Sequence, residues 1–304
     1  MWSVPVQRGR ASFPAARSLS NSLKAETEWQ RATPQGEEFS ILTPVAPTLC
    51  KQGGDYLIGG SGERVLDHRS YGGYVNSFIF YIESFKTARP KNLLKVLDDE
   101  RYPLRVFEDE IKIEGHDAKQ YRLTHEQYYG KYFEVLTKKH VYLITLASRG
   151  GDNTSVARFI SALSLGDNLA GPAALQVLDV RDNPTYKSAL LSEAAAPVSE
   201  AAPAQPAEKI YKPSEASRKA VIVSRPEPVY TEAARQKQVM GTVVLRGVFG
   251  ADGQVRNLRV KQGLKEGLTG KAIEAALSIR FFPAEKDGQP VSQYIQIEYN
   301  FNLY

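Results

Sequence analysis

Residues 291–301 read VSQYIQIEYNF in this 304-residue chain. Apolar or aromatic residues at the odd positions from 295 to 301 alternate with polar residues at 296, 298 and 300. This period of two predicts a β-strand with one face packed on a core and the other face solvated. A strand at a chain terminus easily lies at a sheet edge, where unpaired N–H and C=O groups can pair with a partner strand. The pattern therefore favours peptide binding over catalysis.

The residues before this strand predict a small α/β domain that begins near residue 225. Pro226 and Pro228 mark the start of a first helix, and Asp252-Gly253 is a hairpin-turn dipeptide. Phe281-Phe282-Pro283-Ala284 is expected to stop the second helix. The predicted elements are a helix at 232–238, strands at 242–249 and 255–261, a helix at 268–279 and the strand at 291–301.

This order and spacing resemble the C-terminal domain of the TonB energy-transducer family. The residues that carry the resemblance are Tyr230 with Ala233 and Ala234, Gly241-Thr242-Val243, Asp252-Gly253, residues 271–277, Phe282-Pro283-Ala284, Gly288-Gln289-Pro290 and the terminal strand ending at Phe301. Together they cover about 80 residues, a size typical of one small domain. The resemblance specifies fold and family more strongly than it specifies function.

The resemblance implies a periplasmic, cell-envelope domain that transmits force and catalyses nothing. In the family, the terminal strand pairs with an extended segment of an outer-membrane receptor, the TonB box, and a proton-driven ExbB/ExbD complex supplies energy through a membrane helix. Strand pairing is tolerant of sequence because main-chain groups make it, so one domain can serve several receptors. The candidate partner-binding residues are Arg235, Gln236, Gln293, Ile295, Ile297, Tyr299 and Phe301.

Three features depart from the family pattern. Tyr230-Thr231 stands where Tyr-Pro is usual, which should loosen the helix entry without abolishing it, and the cationic Arg235 should change which box is preferred. No run of 18 apolar residues occurs, so no membrane-spanning segment is predicted, and an ExbB/ExbD-type partner is expected only if an anchor exists. An Ala/Pro-rich spacer of about 15 residues reaches only roughly 45 Å, which is short for crossing a periplasm.

The chain length predicts two domains. We expect a disordered basic tail at 1–27, a first domain at 28–165, a connector at 166–220 and the TonB-like domain at 221–304. The first domain is predicted to be α+β, an antiparallel sheet with covering helices. It resembles, more weakly, the PsbP-like α/β/α sandwich. The residues that carry this second resemblance are Trp29, Phe39-Ser40-Ile41, Pro44, Ile113-Glu114-Gly115, Tyr142-Leu143-Ile144 and residues 158–163.

The charge distribution argues against a nucleic-acid partner. The net charge of +5 divides into +3 for residues 1–27, 0 for 28–165, −1 for 166–220 and +3 for 221–304. A nucleic-acid-binding domain usually concentrates its positive charge in one patch or stripe.

No motif predicts a catalytic residue, a cofactor or a metal ion. The four histidines are scattered without metal-ligand spacing, and the P-loop, dinucleotide and GxSxG patterns are absent. Cys50 is expected to be a half-buried structural residue, and the aromatic cluster around Tyr132 is expected to pack on the sheet. Two alternatives stay open. One is a homodimer formed through the terminal strand, and the other is an enzyme whose site lies in 28–165.

Overall fold

The computed structural model describes residues 29–58, 61–75, 77–97, 105–150, 154–166, 176–194 and 209–303. The predicted basic tail and most of the Ala/Pro-rich spacer, residues 195–208, lie outside this part of the chain. We call residues 29–166 the N-terminal part, 176–194 the connecting part and 209–303 the C-terminal part. The predicted domain boundaries stay predictions.

The N-terminal part alternates strands with a few short helices. Its strands are β1 (Gln30–Ala32), β2 (Phe39–Thr43), β3 (Thr48–Leu57), β4 (Arg64–Val75), β5 (Phe78–Lys86), β6 (Arg105–Ile113), β7 (His116–Leu123), β8 (Tyr129–Leu136), β9 (His140–Ser148) and β10 (Ser164–Leu165). Its helices are α1 (Pro90–Leu97) and α2 (Thr154–Ser161). Pro90 suits the first position of α1, because the first N–H groups of a helix have no partner within the helix.

The remaining elements belong to the connecting and C-terminal parts. The connecting part holds β11 (Leu178–Asp179), a 3-10 helix (Val180–Asp182) and α3 (Pro184–Ala194). The C-terminal part holds β12 (Ile210–Tyr211), β13 (Val221–Ser224), α4 (Glu232–Gln236), β14 (Gly241–Phe249), β15 (Val255–Gln262), α5 (Leu268–Leu277), β16 (Arg280–Phe282), β17 (Ala284–Lys286) and β18 (Gln289–Phe301).

A large sheet forms the centre of the N-terminal part. In the described residues its strand order is β11-β3-β4-β5-β9-β8-β7-β6, and every pair is antiparallel except β11 with β3. The apolar strand β9 lies in the middle and is buried along its whole length. Helix α1 covers one face through Leu93, while α2 and the small sheet of β1, β2 and β10 cover the other through Phe159 and Phe39. These observations confirm the α+β class, and the PsbP-like arrangement stays a prediction.

The C-terminal part has the strand order β12-β18-β14-β15 among the described residues, with β17 paired to the start of β18. Helix α5 packs on one face of this sheet, where Ile273 joins Leu245 and Ile297 in one core. The helix ends at Leu277 rather than at residue 279. The predicted helix stop at 281–284 contributes to two strands, because β16 pairs with β13 and β17 pairs with β18.

The N-terminal and C-terminal parts share a hydrophobic core. Cys50 of β3, Val180 and Ala189 pack in the same cluster as Ile273 of α5. Cys50 is completely buried, so the expected half-buried position was wrong. Its Sγ lies 3.6 Å from the carbonyl oxygen of Glu274 as a hydrogen-bond donor, and burial raises its pKa to about 12. Helix α5 is therefore covered on two sides, by its own sheet and by the other parts of the chain.

Candidate functional site

Strand β18 pairs with β14 over an unbroken antiparallel register from Gln293 to Phe301. The side chains of Ile297, Tyr299 and Phe301 are buried against the core, and Ile295 is half-buried. The side chains at 294, 296, 298 and 300 are exposed on the opposite face. The alternation in the sequence thus predicts correctly which side chains face inward.

Two hydrogen bonds define where the main-chain groups of β18 point. The N–H of Gly250, at the end of β14, donates to the carbonyl of Gln254 at 2.9 Å, towards β15. Main-chain groups alternate sides along a strand, so the odd-numbered residues of β14 face β18 and pair with odd-numbered residues there. Independently, the guanidinium of Arg225, which lies outside the β14–β18 pair, donates to the carbonyl of Glu298. The even-numbered residues of β18 therefore direct their N–H and C=O groups away from β14.

Among the described residues, strands cover the outer side of β18 only at its beginning. Strand β12 pairs in parallel with Ser292 and Gln293. From residue 294 to residue 301, no strand of the described chain lies beside β18 on this side. We call the outward main-chain groups of Gln296, Glu298 and Asn300 the open edge. Such groups are the template that an added strand requires.

The opposite edge of the same sheet is occupied. Helix α3 lies along β15, and the Ser192 hydroxyl accepts a hydrogen bond from the N–H of Val260 at 3.0 Å. Ala189 is buried there, and Leu190 packs against the C-terminal core. Helix α3 therefore occupies the β15 edge of this sheet, including the outward N–H of Val260.

Helix α4 lies beside the end of β18. The rings of Tyr230 and Phe301 contact edge to face, with centroids 5.4 Å apart. Thr231 caps the helix, since its Oγ1 accepts from the N–H of Ala234 at 3.1 Å and donates to the carbonyl of Glu266 at 2.6 Å. Threonine at this position therefore provides a helix cap that proline cannot provide.

The structure distributes the predicted partner-binding residues over different surroundings. Arg235 is half-buried on α4, and Gln236 is exposed and donates to Glu232. Gln293 is only 6% exposed, and its side-chain oxygen accepts from the N–H of Ala220. Because β12 and β14 pair with Gln293 on both sides, we leave it out of the open edge.

Sequence reasoning did not select the even-numbered residues of β18 or Arg225. It selected the odd-numbered residues for their apolar side chains, which serve the core. The Asp252-Gly253 turn predicts the hairpin of β14 and β15. The side chains of β18, however, do not indicate which of its residues direct their main-chain N–H and C=O groups away from β14. Arg225 precedes Pro226 and lies in no sequence motif that indicates a role in partner binding.

No three side chains of His, Cys, Asp or Glu in the described part of the chain are grouped so as to hold a metal ion. Buried His68 lies between the Tyr56 hydroxyl at 3.0 Å and a Glu83 carboxylate oxygen at 3.3 Å, and stacks on Phe85. Since His68 and Glu83 are both buried, we assign this cluster a structural role. Tyr132 of the predicted aromatic cluster is also buried.

The lowered pKa of His140 makes the stability of the fold depend on pH. Burial lowers the pKa of this imidazole below its usual 6.5, against the opposing effect of Glu38, whose Oε2 lies 3.4 Å from Nδ1. The folded state therefore favours neutral His140, while the unfolded chain takes up a proton near pH 6.5. Stability from this group is present above pH 6.5 and is lost as the pH falls towards the lowered pKa. Between pH 7.5 and pH 5.5, the urea midpoint should fall less for His140→Gln than for the wild type. An equal fall for the two proteins would contradict this role of His140.

Comparison with known proteins identifies the C-terminal part. Residues 226–303 match the family described as Gram-negative bacterial TonB protein C-terminal, which confirms the resemblance seen in the sequence over about a quarter of the chain. That family consists of non-enzymatic protein-interaction domains, and the match supports in general terms a TonB-like envelope protein. None of the described helices is long and apolar enough to span a membrane.

The other comparisons add no argument about function. Comparison with curated proteins gives no match. A crystal structure from Bacteroides thetaiotaomicron is similar at 14% identity with a TM-score of 0.29, over 46% of this chain and 49% of that one. This chain therefore spans about half the length of that protein, and the low score carries no inference about the fold.

Proposed function

We propose that the open edge of β18 binds an extended segment of an envelope partner by strand addition. The partner class is the TonB box of an outer-membrane receptor in the periplasm, and the binding would support energy-dependent transport. An ExbB/ExbD-type complex would supply the energy if the protein has a membrane anchor. We propose no enzymatic activity.

The observation that carries this proposal is the direction of the main-chain groups in β18. Gln296 and Asn300 direct N–H and C=O groups outward, and no main-chain partner from the described residues satisfies them. Tyr294, 50% exposed, lies at the start of this stretch and can pack against an added strand. A segment pairing there would extend the sheet by one strand without rearranging the core.

Proline substitution at residue 296 tests strand addition. Gln296→Pro removes an outward N–H and places a ring at the edge, while the pairing with β14 uses the neighbouring odd-numbered residues. Affinity for a fluorescein-labelled TonB-box peptide, measured by fluorescence anisotropy, should fall about tenfold or more, because a main-chain hydrogen bond is lost and the edge is blocked.

Gln296→Ala is the matched control, because it keeps the N–H and removes the side-chain contacts to Arg246 and Glu298. Its affinity should stay within about twofold of the wild type, as expected for a surface side chain. Ile297→Pro is a poorer test, since Ile297 is buried and its N–H faces β14. Normal peptide binding by a folded Gln296→Pro protein would refute strand addition at β18.

Self-association is the second candidate function. The same outward groups can pair with β18 of a second copy around a two-fold axis, because an antiparallel pair of identical edges is self-complementary. Sedimentation velocity of the full chain over a range of concentrations distinguishes the two candidates. A dimer that Gln296→Pro dissociates, without peptide binding by the wild type, would favour a homodimer.

A further inference from the structure

Arg225 occupies part of the open edge. Its Nη2 donates to the carbonyl oxygen of Glu298, and its guanidinium carbon lies 4.9 Å from the centroid of the Tyr299 ring. In the part of the chain that the structure describes, no carboxylate forms an ion pair with this arginine. Its donors are therefore directed to the main chain of β18 and to the face of an aromatic ring, a favourable partner for a guanidinium.

The backbone on both sides of Arg225 is restricted. Ser224 precedes it and is paired with Arg280 in the β13–β16 sheet. Pro226 follows it, and proline has a fixed φ and disfavours helical conformations of the residue before it. The side chain therefore starts from a defined position beside Glu298 and does not need to be recruited from a mobile loop.

The Glu298 carbonyl is one of the acceptors that an added strand must use. Outward N–H and C=O groups alternate along the edge at every second residue, so a segment reaching from Gln296 to Asn300 passes Glu298. Its N–H would compete with the guanidinium for the same oxygen. A hydrogen bond from a charged donor is stronger than one from a neutral amide. Arg225 must therefore leave before a segment can pair along the whole edge.

We propose that Arg225 determines the affinity of the open edge by holding the Glu298 acceptor, so that strand addition requires its displacement. This inference rests on the proposed strand-addition function. Segments that pair along the full length of the edge must displace the arginine. Segments that pair only near Tyr294 and Gln296 leave it in place. Arg225 thus selects between partner segments by length.

The test compares three proteins with one probe. Arg225→Met keeps most of the apolar side chain beside Tyr299 and removes every donor, whereas Arg225→Lys keeps a cationic donor. The full chain and each variant are titrated with a fluorescein-labelled TonB-box peptide long enough to pair from Gln296 to Asn300, and their thermal midpoints are recorded. We expect Arg225→Met to bind about five- to tenfold more tightly than the wild type, the range that one hydrogen bond allows. Arg225→Lys should return towards wild-type affinity.

The direction of the change separates this role from a structural one. Loss of a residue that only supports the fold would weaken binding and lower the thermal midpoint. Unchanged or weaker binding by a folded Arg225→Met protein, together with wild-type binding that Gln296→Pro abolishes, would overturn the role of Arg225 and leave strand addition standing. Absence of binding by the wild type and by Arg225→Met would overturn both proposals.

Discussion

Replacing Gly72 by alanine is expected to destabilise the protein by about 3 kcal/mol, the upper range for overpacking a closed site. A Cβ at Gly72 in β4 would lie 2.5 Å from Nε of Arg280 and 3.1 Å from the carbonyl oxygen of Phe80. Arg280 cannot move aside easily, because it is 3% exposed and lies between the N-terminal sheet and the end of α5. The measurement is the free energy of unfolding in urea.

The buried environment of Arg280 explains why Gly72→Ala should lower stability strongly. Burial lowers its pKa to about 10, so it keeps its charge at neutral pH. Carbonyl groups solvate that charge: Nη1 donates to Leu277 at 3.4 Å and Ile279 at 3.2 Å, and Nη2 donates to Gly72 at 3.3 Å. A displaced guanidinium would leave a buried charge without these partners, which is costly in a protein interior.

Gly54→Ala is the matched control for Gly72→Ala. Gly54 lies in β3 of the same sheet, and a Cβ there meets no atom within 4 Å. Its substitution should change the stability by no more than about 0.5 kcal/mol. Equal stabilities of the two variants would show that Arg280 and its neighbours relax at no cost, and that the contact across the two parts is loose.

The terminal strand shows how far sequence alone reaches. Alternation over 291–301 predicts a strand and the side chains that face the core, because burial of apolar side chains is periodic. It does not predict which main-chain groups are free, because every residue has the same N–H and C=O groups. That property depends on pairing with β14, on the short strand β12 and on Arg225. Each of these comes from a distant part of the sequence or from a residue outside any pattern.

Helix α3 and the packing between the two parts were beyond prediction for related reasons. Of the consecutive apolar residues Ala189, Leu190 and Leu191, the first two pack in the C-terminal core and Leu191 is 73% exposed, so this apolar run does not indicate which face is buried. The contact between the parts includes Gly72, Cys50 and Arg280, two small residues and one charged one, beside the apolar Phe282. Hydrophobic periodicity therefore predicts the individual sheets and helices, but not the surface where they meet.

Phe282→Ala is expected to separate the unfolding of the two parts. Phe282 is completely buried in a cluster with Ile79 and Ala147 of the N-terminal sheet, and its ring centroid lies 5.5 Å from that of Tyr128. The Arg149 guanidinium lies 5.1 Å from the ring and donates to the Pro283 carbonyl at 2.9 Å. Truncation of a buried phenylalanine costs about 3–5 kcal/mol, and here that loss falls on the contact between the parts. Calorimetry should change from one unfolding transition to two.

Phe107→Ala provides the control, because Phe107 is 52% exposed on β6, far from this contact in the strand order. It should lower stability by about 1 kcal/mol at most and keep a single transition.

The Phe282 variant also bears on the open edge, since β16 pairs with β13, and β13 ends at Ser224, the residue before Arg225. Phe282→Ala should therefore release Arg225 and raise peptide affinity in the same direction as Arg225→Met. A single transition at a lower temperature, with unchanged affinity, would show that the contact stabilises the protein without controlling the edge.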